Sequence, residues 1–349
     1  MRFLCGVVLL SLALSFSSEA QTNTSSGDLT AKSPDEMKTI LADTFKQNTF
    51  AYLPGPYHLI ATFETFTPEG QPDGEGSIEK FFASPGHLKI ITHFRDHTMT
   101  AYYSGGKPVY TDDGFDGTIM TYYANDFLLT PLPPPQGTAY RDIETKSLRM
   151  QGAVIDCGMF QFFIEPAGMP PSPKEALCVN RDTHDLALRE TLHLSVRYRD
   201  FVPFLDRSIP RTISASQGPV VRLRIHVKQA DQTMPDDTSM VPPSDASPVS
   251  PGPNWLATSK DEGTPSHRVS PSYPVDMKNA RISGPAAVLV LISRTGNIKD
   301  VQPLYAPTPE LLQAAVEAAK QWRYAPLIRE GRPVETMTEI HMNFQIVHQ

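Results

Sequence analysis

Residues 231–272 hold eight prolines (Pro235, Pro242, Pro243, Pro248, Pro251, Pro253, Pro265 and Pro271) among Ser, Asp and Thr, with few apolar residues beyond Trp255. Proline lacks a backbone N–H and fixes φ, so such a stretch does not run through the middle of a helix or a sheet. It reads as a semi-extended spacer, spanning on the order of 100 Å at about 3 Å per residue. The 349-residue chain is thereby expected to divide into a front unit over 33–230 and a back unit over 273–347. No internal repeat is apparent.

Residues 1–20 read as an export signal. Arg2 supplies the positive start, Leu4 to Phe16 form a thirteen-residue apolar core, and Ser18-Glu19-Ala20 places small residues before a cut at Gln21. Thirteen helical residues span about 20 Å, short of the roughly 30 Å hydrocarbon layer. The expected location is the periplasm; an uncleaved signal acting as a short membrane anchor is the alternative. Cleavage removes Cys5 and leaves Cys157 and Cys178. An exported chain with two cysteines favours one disulfide over two separate buried thiols. Closing a loop of about 22 residues contributes on the order of 3 kcal/mol in the chain-entropy view. Net charge is -7, and the sequence lacks the concentrated Lys and Arg that nucleic-acid binding requires.

The front unit opens on a helix. Ser33 is its N-cap, Pro34 its first residue, and Glu36 completes a capping box. Met37, Ile40, Leu41, Thr44 and Phe45 follow on one face. From Tyr57 the period changes to two. Leu59, Ala61 and Phe63 alternate with polar neighbours, and further strands are expected at 76–82, 88–94, 99–103 and 108–111. Residues 142–163 mix helix and strand signals. Strands resume at 186–192, 194–198, 211–215 and 220–227. In this order the region 33–230 resembles the LolA/LolB-type lipoprotein-carrier fold: one helix, then a curved antiparallel sheet closed over by further helix. That resemblance implies a concave face lined by apolar side chains that receives acyl chains.

The back unit is read in finer detail. Ala286–Ile292 is a continuous apolar run, Arg294-Thr295-Gly296-Asn297 a turn, and Ile298–Leu304 the returning strand. Thr308 caps a helix with Pro309 at its first position, and Leu312, Ala315, Val316, Ala319 and Trp322 form one stripe. Gly331-Arg332-Pro333 turns the chain into a last strand over 336–346, where Met337 is offset by one from Ile340, Met342 and Phe344. The landmarks Tyr273-Pro274, Gly284, Thr295-Gly296, Trp322-Arg323-Tyr324-Ala325-Pro326, Gly331-Arg332-Pro333-Val334 and Phe344 resemble those of the TonB C-terminal domain, in order. Ser293-Arg294 departs from the Asp more common ahead of the turn, and the Gln often found before Tyr-Pro is absent. The expected fold class is therefore α+β: a curved antiparallel sheet with a packing helix, a Pro-rich linker, then a small β-β-α-β domain.

The resemblance implies binding and a link to TonB-type transmembrane transport. TonB C-terminal domains meet outer-membrane receptors by taking a short receptor peptide as an extra strand. An edge strand has unpaired N–H and C=O groups that supply affinity whatever the side chains are. Thr338, Ile340, Met342 and Phe344 are the edge expected here, with Ser270 and Ser272 beside it. Trp322, Tyr324 and Phe344 otherwise read as core packing. Pairing of two copies through these edges would give a homodimer. Force transduction is not expected, because the chain offers no long apolar span. A lipid carried in the front sheet is the alternative function.

No catalytic constellation emerges. His93 and His97 fall on a strand and turn that point them apart, without HExxH. Asp112-Asp113-Gly114-Phe115-Asp116-Gly117 lacks the twelve-residue calcium loop and its terminal Glu. No Gly-x-Ser-x-Gly elbow, P-loop or dinucleotide fingerprint occurs. The chain is read as a binding protein with no cofactor, no metal and no catalytic residue.

Overall fold

The computed structural model describes residues 29–50, 53–130, 143–160, 174–191, 193–255 and 264–346. The export signal expected at 1–20 lies outside the described residues. Helix α1 (Pro34–Asn48) starts as its sequence dictates. The Glu36 carboxylate accepts from the Ser33 backbone N–H at 2.9 Å, while Ser33 Oγ accepts from the Glu36 N–H.

Strands β1 (Tyr57–Phe66), β2 (Pro72–Ser84), β3 (His87–Phe94), β4 (His97–Ser104) and β5 (Val109–Asp112) form one antiparallel meander. Helix α2 (Ile119–Leu129) follows. A second meander comprises β6 (Glu144–Met150), β7 (Ala153–Phe160), β8 (Glu175–Asn180), β9 (Leu186–Glu190), β10 (Ser195–Phe204), β11 (Arg207–Gln217) and β12 (Val220–Asp231). β1 pairs with β12, which fuses the meanders into one twelve-stranded sheet with β5 and β6 at its edges. The region of mixed signals at 142–163 contains β6 and β7. Cys157 and Cys178 sit directly opposite each other on β7 and β8 and are joined by a disulfide.

The sheet is curved, and α1 shows by how much. α1 touches both β7 and β11, which are separated by three strands. Strands repeat about every 4.8 Å, so a flat sheet would hold those two roughly 19 Å apart, beyond the reach of one helix about 10 Å wide. The sheet therefore wraps its concave face around α1. Asn48 locks the helix end there, donating to the Ser208 carbonyl at 2.8 Å and accepting from the Leu186 N–H at 2.7 Å.

In the back part, β13 (Asn254–Trp255) and β14 (Pro265–His267) precede a short helix α3 (Val275–Asn279). Then come β15 (Gly284–Ile292), β16 (Ile298–Tyr305), α4 (Pro309–Ala319), β17 (Arg323–Tyr324), β18 (Leu327–Arg329), β19 (Arg332–Val334) and β20 (Thr336–Phe344). The main sheet here has the order β13-β20-β15-β16. One face packs α4 through Val288, Val290, Ile340, Met342 and Phe344. The other face joins the front core: Leu289, Leu291, Leu304 and Met337 share one buried cluster with Met37 and Leu41 of α1 and with Ile119 and Leu128 of α2.

Polar contacts line the rim of that seam. Arg294 pairs with Asp112 at 2.5 Å, and Lys299 lies between Asp116 at 2.5 Å and Glu335 at 2.7 Å. The Tyr122 hydroxyl donates to Glu335 at 2.6 Å. The Ile119 N–H donates to Asp300 at 2.9 Å. Burial pushes the Asp300 carboxyl up, opposed by the N–H groups of Ile119 and Val301. The Pro-rich stretch is tied down at several points. Ser247 exchanges two backbone hydrogen bonds with Tyr110, and β13 and β14 pair with β20 and β17.

Candidate functional site

The site is built around β20, whose two sides differ. One side pairs with β15 along its whole length, Thr336 opposite Ile292 through Phe344 opposite Gly284, with no register shift. The other side pairs only with the two residues of β13, at Thr336 and Met337. Among the described residues, no strand pairs with that outer side beyond Met337.

Alternation decides which groups face outward. The residue before β20, Glu335, donates its N–H to Pro251 at 3.1 Å and accepts from the Asn254 N–H at 2.9 Å, so its backbone points to the outer side. Counting in twos, the outward backbone groups belong to Met337, Glu339, His341 and Asn343. Thr338, Ile340, Met342 and Phe344 turn their backbone toward β15, and their side chains are buried. The side chains of His341 and Asn343 are exposed, and His341 contacts Glu339 at 3.0 Å.

A groove of about 640 Å³ runs beside this edge. Its near wall is His341 to Gln345, and its far wall is Arg268 to Pro271, with Tyr273 and Trp322 between. The far wall is fixed by three devices. β14 pairs with β17, the Trp322 indole N–H donates to the Val269 carbonyl at 2.9 Å, and the Arg268 guanidinium lies over the Trp322 ring at 5.6 Å. Tyr273 anchors the entry to α3, donating to the Ile282 carbonyl at 2.6 Å and packing edge-on against Phe344. Ser270 lines the groove; Ser272 is exposed but is not part of its lining. Trp322 lies past the end of α4, so its place in the sequence stripe reflects the pinning of Val269 more than helix packing.

The turn glycine has its own reason. Gly296 has φ +84°, and a Cβ there would fall 2.0 Å from the Tyr324 carbonyl oxygen. The Tyr324 N–H donates to the Gly296 carbonyl at 2.8 Å. A side chain would displace β17, and with it the far wall.

Elsewhere, His93 contacts Thr98 at 2.7 Å and His97 contacts Asp113 at 3.4 Å. Asp112 accepts from the N–H groups of Gly114 and Phe115 within its turn. Among the described residues, no three His, Cys, Asp or Glu side chains converge as metal ligands. No helix among the described residues is long and apolar enough to cross a membrane.

Residues 269–346 match the family model described as Gram-negative bacterial TonB protein C-terminal. The chain thus carries a TonB C-terminal domain at its back. The solution structure of the Pseudomonas aeruginosa TonB C-terminal domain is similar to this part, at 28% identity, covering 28% of this chain and 96% of that one with a TM-score of 0.23. The front part resembles LolA-superfamily proteins in fold. One, from Nitrosomonas europaea, is 11% identical, covers 59% of this chain and 97% of its own, and has a TM-score of 0.38. No curated protein matches the chain in sequence.

Proposed function

We propose that this is a periplasmic envelope protein, linked to TonB-type transmembrane transport, that takes an extended segment of an outer-membrane partner as an added strand on β20. The supporting observation is the outer edge itself. Among the described residues, no strand pairs with the outward N–H and C=O groups of Glu339, His341 and Asn343, which lie beside a groove already walled on its far side. The open stretch from Thr338 to Phe344 is seven residues, or roughly 23 Å of strand at 3.3 Å per residue. Main-chain pairing supplies the affinity, and alternate pockets along the groove supply selectivity.

Proline at an outward position removes one docking donor and leaves the β15 ladder untouched, whereas proline one residue away breaks that ladder. His341→Pro is therefore expected to keep the far-ultraviolet circular dichroism and the melting temperature near wild type while losing capture of outer-membrane proteins by crosslinking in cells. Ile340→Pro is expected to lose both. Undiminished capture by a folded His341→Pro protein would reject the edge as the docking site. The lipid-carrier reading draws no comparable support, since Leu59, Phe63, Ile213 and Ile225 of the front sheet are packed in one buried cluster with both helices and the small sheet.

A further inference from the structure

We propose that residues 247–255 form an internal strap that occupies the start of the β20 edge and competes with the strand that docks there. This rests on the edge-docking reading above and concerns its regulation. The strap is fastened at both ends to otherwise open strands. Ser247 and Tyr110 exchange N–H···O bonds of 2.8 and 2.7 Å, which hooks the strap to β5, an edge of the large sheet. Seven residues on, Asn254 donates to the Glu335 carbonyl at 2.9 Å and its side-chain amide donates to the same oxygen at 3.2 Å. Pro251 accepts from the Glu335 N–H at 3.1 Å, and Trp255 pairs with Met337.

These are the same outward backbone positions, continued by two residues, that a docking strand uses at Glu339, His341 and Asn343. A strand reaching past Thr338 toward the start of β20 must displace β13. Glu335 gives the strap a firm seat, being buried and bound to both Tyr122 and Lys299. Contact there is close: Gly252 has φ +152°, and a Cβ on it would lie 2.7 Å from the Glu335 Cβ. Being in the same chain, the strap acts at an effective concentration of order millimolar. An external strand therefore binds with an apparent affinity lowered by the closed fraction.

The test uses the full-length protein, two loosening variants and one probe. Ser247→Pro removes the donor to Tyr110, outside the β13–β20 pairing, and Gly252→Ala crowds Glu335. The first readout is amide exchange. The Asn254 and Met337 amides are expected to exchange at least tenfold faster in either variant, with Val288 and Val290 unchanged. The second is fluorescence anisotropy with a labelled peptide copying residues 336–344, a strand-forming sequence of matching length. It is expected to bind both variants about tenfold more tightly than wild type. Equal binding by wild type and variants, with the strap amides released, would overturn the competition. Unchanged strap amides in both variants would overturn the strap as a closed element. No binding of the peptide to any form would instead overturn the edge-docking reading, and the competition with it.

Discussion

The twelve-stranded sheet is antiparallel, the four-stranded one is antiparallel apart from the short parallel β13, and both carry helix on one face, yet their central strands read differently. In β1, Leu59, Ala61 and Phe63 are buried and Ile60, Thr62 and Glu64 are partly exposed, because only the concave face is covered. β15 is apolar without a break from Ala286 to Ile292, each residue at most 2% exposed, because α4 covers one face and the front core the other. A strand buried on both faces loses its alternation. What remains for recognition in the small sheet is not a face but an edge, and of its edges the outer side of β20 is the one that borders the groove.

If the second face of the small sheet is truly core, a charge placed there destabilises the whole molecule. Leu291→Asp is expected to cost more than about 4 kcal/mol, since an unpaired carboxylate would sit in the shared cluster. Urea denaturation followed by fluorescence checks this, and a loss below about 1 kcal/mol would separate the two sheets energetically. Next in size is the large sheet's own staple. Replacing Cys157 and Cys178 together by Ser is expected to cost about 3 kcal/mol, measured on the same denaturation curve, and to leave the β20 edge amides unaltered.

The large sheet carries a pH dependence of its own. Lys80 is buried against Tyr57 and Phe82 and donates to the Phe50 carbonyl at 3.3 Å. Burial lowers its pKa to about 8. The folded state thus releases a proton that the unfolded chain keeps up to its ordinary pKa of about 10.5. Between these values the unfolded state binds more protons, so this residue makes stability rise with pH, by at most about 1.4 kcal/mol per unit. Below pH 8 the cost of the buried charge is fully present. Lys80→Met is expected to remove that rise, as read from denaturation midpoints at pH 7, 8, 9 and 10. The smallest effect falls on the seam's rim. Tyr122→Phe deletes one hydrogen bond to Glu335, which keeps Lys299, and is expected to cost about 1 kcal/mol in thermal unfolding.

Much of the fold was legible because local rules agree with it. The Ser33 box starts α1, Thr308 and Pro309 start α4, and period-two runs mark β1 to β4 and β10 to β12. Helix α2 carried no usable period, since Ile119, Met120, Tyr122, Ala124, Phe127, Leu128 and Leu129 bury nearly its whole circumference. The offset of Met337 from Ile340 was visible, and its meaning was not: the strand is unshifted, and its start is buried on both faces. The seam was illegible for a different reason. Its contacts join residues such as Tyr122 and Glu335, 213 positions apart, and no local pattern encodes them. The parity of the edge had the same obstacle. Sequence separates 337, 339, 341 and 343 from 338, 340, 342 and 344, but only the pairing with β15 tells which set has its backbone free.

That parity is open to direct measurement by residue-resolved amide hydrogen exchange across β20 in the unliganded protein. The predicted result is a sawtooth, with Glu339, His341 and Asn343 exchanging at least tenfold faster than Ile340 and Met342. Uniform protection from Thr338 to Asn343 would mean that both sides of the strand are already paired, and no seat would remain for a partner.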